Sequence, residues 1–135
     1  MTEALQEAYK RIADRHLEMA GQLIQSHPEG AVFHCYHAFE SIASAALLSF
    51  STPVPRAHRS KLDTFIARSR SYRFARGAFA VTLLLETVRA GALYPEQIVD
   101  SQVVHPESRW QVQQVAEIHR RVSGIVRQIA QDLGL

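Results

Sequence analysis

The stretch Glu107–Leu135, ESRWQVQQVAEIHRRVSGIVRQIAQDLGL, decides the fold. Val115, Ile118, Val122, Ile125, Ile129 and Leu133 recur every three or four residues. That spacing places them on one stripe of a helix with polar side chains around the rest. The spacing predicts a helix from about Glu107 to Leu133, closed by Gly134 as a C-cap. Working back, the same period appears in residues 3–25, where Leu5, Tyr9, Ile12, His16, Met19 and Leu23 form a stripe and Thr2 is an expected N-cap. His16 lies on that stripe and is expected to bond to a neighbour in the core or an interface.

Between these two helices the chain alternates helical runs and breakers. His27-Pro28-Glu29-Gly30 interrupts the first pattern, and Pro53 and Pro55 end a second helix expected over Ala31–Ser49. That second helix carries Cys35, Phe39, Ile42, Ala46 and Leu47 on one side. Its many small residues allow close approach by a neighbour. A third, shorter helix is expected over Ala57–Arg70, with Leu62, Phe65 and Ile66 as apolar contacts. The fourth, over Phe74–Ala90, is apolar around most of its circumference and is expected to be the most buried. Residues 95–107 contain Pro95 and Pro106 and read as a long loop. No run shows strand alternation. The fold class is therefore all-α: one domain, residues 1–135, built as an antiparallel bundle of about five helices.

Composition limits function. The chain has 135 residues, 47% hydrophobic and 21% charged, which suits one globular domain. One cysteine, Cys35, excludes an internal disulfide, fits a reducing cytoplasm and is expected to be buried. The N-terminus does not read as a signal peptide, and the longest apolar run, Ala78–Leu85 with Thr82 inside it, is too short to cross a bilayer. The formal net charge of +2 conceals a net of +6 over residues 56–76, where Arg56, Arg59, Lys61, Arg68, Arg70, Arg73 and Arg76 face Asp63 alone. This basic segment suits a phosphate backbone or an acidic protein partner. The bland alternative is a solvated face with Arg59 and Asp63 paired at i,i+4. Phe65 and Phe74 read as core rather than stacking platforms.

His34, His37 and Glu40, three residues apart on the second helix, share a face and can be read as a metal triad or as a polar helix face. No second cluster completes a coordination shell, so no metal is expected. His119, beside Arg120 and Arg121, is expected to face solvent. With no Gly-rich phosphate loop, no nucleophile elbow and no CxxC pair, nothing calls for a cofactor.

The run from Tyr36 to Leu48 (YHAFESIASAALL) resembles the second helix of the HEPN superfamily. The Pro-containing loop with His58, Leu62 and Phe65 after it, and Arg89-Ala90-Gly91-Ala92-Leu93-Tyr94-Pro95, resemble the segments that follow in that family. The resemblance implies a helical bundle that usually forms a homodimer. It also implies a nucleotide- or RNA-associated role in phage defence or a toxin–antitoxin system, with an antitoxin or nucleotidyltransferase as partner. Active members are metal-independent ribonucleases with an Arg, a polar residue and a His four to six positions beyond the Arg. Arg89 matches the arginine, Ala90 stands at the polar position, and Tyr94 occupies the expected place of the histidine. Histidine suits both proton transfers of RNA cleavage because its pKa lies near 6.5, whereas a tyrosine near 10 is a poor base. Arg89, Tyr94 and His105, the last from the long loop, are the candidate catalytic residues. The alternative is a non-enzymatic module that docks an acidic partner.

Overall fold

A computed structural model describes residues 2–93, 96–97 and 103–135. The chain is all-α: α1 (Thr2–Leu23), α2 (Pro28–Ser49), α3 (His58–Arg68), α4 (Ala75–Leu93), a single-turn α5 (Pro106–Arg109) and α6 (Val112–Leu133). Within the expected loop, Glu96–Gln97 (β1) and Val103–Val104 (β2) form a minimal antiparallel ladder that pairs Glu96 with Val104.

The boundaries follow local chemistry. Pro28, read as a breaker, instead starts α2. A proline in the first turn gives up an N–H that has no helical partner anyway, and Glu29 suits the positive end of the dipole. Gly91 does not loosen α4, which continues to Leu93 and leaves Arg89 inside the last turns. The expected single C-terminal helix divides at Trp110 and Gln111, whose extended backbone seats the buried indole in the core. Gly134 closes α6 at φ 69°, the left-handed conformation that glycine adopts without a Cβ penalty.

The central helix is α2, not α4. Thirteen of its residues are buried, and it touches all the other helices. Its Ala and Ser side chains let these neighbours crowd in, whereas α4 leaves Phe79 and Leu83 each 51% exposed. On α1 the inward face is set by Ala13 and Ala20, with Tyr9, Leu17 and Leu23 packed beside them. Leu5 and Ile12, read as part of the apolar stripe, stand at 46% and 43% exposure. The small alanines win because they permit the closest approach of α1 to α2.

An aromatic chain anchors α3. Phe39 of α2 meets Phe65 edge-on at 6.0 Å, Phe65 stacks on Phe74 at 6.2 Å, and Phe74 stacks on Tyr72 at 5.2 Å. These rings bind α3 to α2 and to the start of α4. They thereby fix where the N-terminus of α3 presents His58.

Candidate functional site: a basic cleft between α2, α3 and α4

Glu40 is the polar centre of the α2–α3 contact. Its side chain is only 10% exposed and accepts from Lys61 Nζ at 2.8 Å and from His58 Nδ1 at 2.5 Å. Burial pushes its carboxyl group up, but the hydrogen bonds and charges of Lys61 and His58 outweigh burial and hold it below the usual value. Glu40 is therefore ionised and can only accept, so Nδ1 of His58 carries the proton. The His58 side chain is 47% exposed, so the ring keeps an open side.

That open side is a cleft of about 390 Å³ lined by Tyr36, His58, Arg59, Leu62, Glu86 and Arg89. The Arg89 guanidinium lies over the Tyr36 ring, 5.0 Å from its centre, a cation–π contact. Its Nε is buried and meets no hydrogen-bond acceptor among the described residues. Such a donor is costly to leave unmade, and Arg89 also lines the cleft, where a guanidinium can meet an anion. The Tyr36 hydroxyl is pushed up to about 12, first by burial and then by the charge of Glu40, so it stays a neutral hydrogen-bonding group.

A second row of imidazoles backs the cleft. His16 of α1 and His34 of α2 approach Nδ1 to Nδ1 at 2.9 Å, which realises the bonded neighbour expected for His16. The His37 ring lies 5.5 Å from that of His16, 4.3 Å from that of Phe33 and 6.3 Å from that of His58. His34 and His37 thus share His16 and Phe33 as ring neighbours, while Glu40 turns to His58 and Lys61. Among the described residues no three His, Cys, Asp or Glu side chains are placed to hold a metal ion.

The other candidates separate. Tyr94 lies outside the described residues. His105 is the exposed N-cap of α5 and does not line the cleft. Arg59 lies in the cleft wall, 3.9 Å from Asp63 as the i,i+4 spacing predicts. Lys61 is turned inward to Glu40 with 12% of its side chain exposed, and so is withdrawn from the basic surface. Arg73 donates to Asp132 Oδ1 at 2.6 Å, tying the turn before α4 to the end of α6. Arg56, Arg68, Arg70 and Arg76 remain exposed. His119 does not face solvent: its Nε2 lies 2.9 Å from the Leu17 carbonyl oxygen and joins α6 to α1. Cys35 is fully buried, and burial pushes its thiol up to about 12.

Sequence reading missed the Glu40–His58–Lys61 cluster. Its members are 18 and 21 residues from Glu40, and no helical period relates them. The one signal was Glu40 within the small and apolar run from Ala38 to Leu48, since a Glu buried there must find a cation. Among the described residues no helix is long and apolar enough to cross a membrane. No protein-family model matches the chain, nor does any curated protein or solved structure.

Proposed function

We propose that the α2–α3–α4 cleft binds the phosphate group of RNA or a nucleotide, with Arg89 as the anion contact and His58 as the acid–base group. The observation that carries this reading is the convergence of Arg89, His58 and Arg59 on one cleft, with the Arg89 Nε left without an acceptor among the described residues. The resemblance of residues 36–48 and 89–95 to HEPN domains supports the same ligand class. With Nδ1 engaged by Glu40, a neutral His58 has its lone pair on Nε2, which can take the proton of a ribose 2′-OH. The freed oxygen would attack the adjacent phosphorus, the 5′ oxygen would leave and take a proton from solvent, and Arg89 would offset the charge gathering on the phosphoryl oxygens. His58 takes the place that the spacing from Arg89 assigns to Tyr94.

The test is binding and cleavage of a single-stranded RNA by the purified chain. Arg89→Ala is expected to weaken RNA binding by about tenfold or more, the loss of one charge-assisted contact. His58→Gln is expected to retain binding and to lose cleavage by about 100-fold or more. Absence of Arg89-dependent binding to both RNA and mononucleotide would overturn the reading.

A further inference from the structure

The seam between α3 and α4 continues past Arg89. Along α4, Phe79, Leu83, Glu86 and Arg89 recur at steps of four, three and three, so they lie on one stripe. His58, Leu62, Ile66 and Arg70 line the opposite wall at steps of four. A second depression of about 290 Å³ opens there, lined by Ile66, Arg70, Phe79 and Leu83 among others, and Glu86 belongs to both depressions. The two form one groove. Ten residues of helix separate Phe79 from Arg89, about 15 Å. That exceeds the reach of a single nucleotide whose phosphate sits on Arg89.

The groove has a specific chemical order. At one end is Arg89, Arg59 stands on the wall, and at the far end an exposed phenyl ring lines the same depression as Arg70. A cationic track beside an accessible aromatic face is the arrangement that holds single strands, because phosphates meet the cations and unpaired bases stack on the ring. Two carboxylates, Asp63 and Glu86, also line the groove. Asp63 is offset by Arg59 at 3.9 Å. A helix of a partner protein with an apolar face would use Phe79 and Leu83 but would give Arg70 and Arg89 no counter-charge.

We infer that the α3–α4 groove takes single-stranded RNA as an extended strand, with one phosphate at Arg89, another at Arg70 and a base stacked on Phe79. This deepens the phosphate-site reading and rests on it. The ring is not part of the core, so it can be changed without disturbing the bundle.

The test compares an oligoribonucleotide of about eight residues, within the site size of single-strand binders, with adenosine monophosphate on the whole chain. Phe79→Ala is expected to weaken binding of the oligonucleotide about tenfold and to leave the mononucleotide unchanged. Phe79→Trp is expected to restore oligonucleotide affinity, with its indole emission quenched on binding. Arg89→Ala is expected to weaken both ligands. Oligonucleotide affinity that is unchanged in Phe79→Ala but still lost in Arg89→Ala would overturn the groove and leave the phosphate site standing. Indifference of both ligands to Arg89→Ala would overturn the phosphate site itself. A wild-type dimer in sedimentation that becomes monomeric in Phe79→Ala would assign the ring to a second copy of the chain and overturn the inference.

Discussion

His16 and His34 share a single Nδ1 proton. A 2.9 Å contact between two such nitrogens needs one donor and one acceptor, so the pair cannot both be cationic and remain bonded. Burial lowers the pKa of both. For His16 the positive charges of His34 and Arg15 add to the shift. His37 is lowered as well, mainly by burial, with His16, His58 and Arg89 adding to the shift and Glu40 opposing it. The unfolded chain therefore binds more protons than the folded one once pH drops toward 6.5, the ordinary histidine value. Stability is fully present above that value and is lost as pH falls from it toward the lowered folded values. Glu40, held low by its cations, adds a separate loss only below the carboxylate range near 4.5. Urea midpoints measured between about pH 7.5 and pH 5 should fall in the wild-type chain and fall less steeply in His34→Gln, which keeps a polar partner for His16 but cannot take on the charge.

At the scale of elements, α2 holds its place because it is narrow. Ala31, Ala38, Ala43, Ala45 and Ala46 are wholly buried, and each lets a neighbouring helix draw closer than a larger side chain would. The ring chain from Phe39 to Tyr72 then fills the wider gap toward α3. On α6 one position departs from good helix design. Gly124 lies mid-helix, and a Cβ built there would meet nothing within 4 Å. Gly124→Ala should raise unfolding free energy by about 0.5–1 kcal/mol, because alanine loses less backbone entropy on folding and clashes with nothing. Chemical denaturation with an unchanged m-value checks it. The amphipathic stripe of α6 was readable from spacing alone, since Val115, Ile118, Val122, Ile125 and Ile129 are all buried. The inward face of α1 was not, because the large residues Leu5 and Ile12 look more core-like than Ala13 and Ala20.

Over the whole molecule, charge is divided by depth. Lys61 is spent inside on Glu40, Arg73 is paired at the surface with Asp132, and Arg59, Arg70 and Arg89 line the α3–α4 groove. Under the proposed groove reading, two phosphate contacts on a single strand, at Arg89 and Arg70, should make the logarithm of the binding constant fall with the logarithm of salt concentration at a slope of about −1.4. A slope near zero would mean that the groove does not track a phosphate backbone. The chain's own sequence determined that it is a helical bundle, where its main breaks fall and that its basic residues cluster, because these depend on periodicity, prolines and charge within one segment. Only the tertiary structure decided that α2 is the centre, that Glu40 seats His58, and that His58 rather than His105 stands with Arg89. Those facts depend on contacts between residues 18 or more positions apart, and packing geometry rather than local spacing selects such contacts.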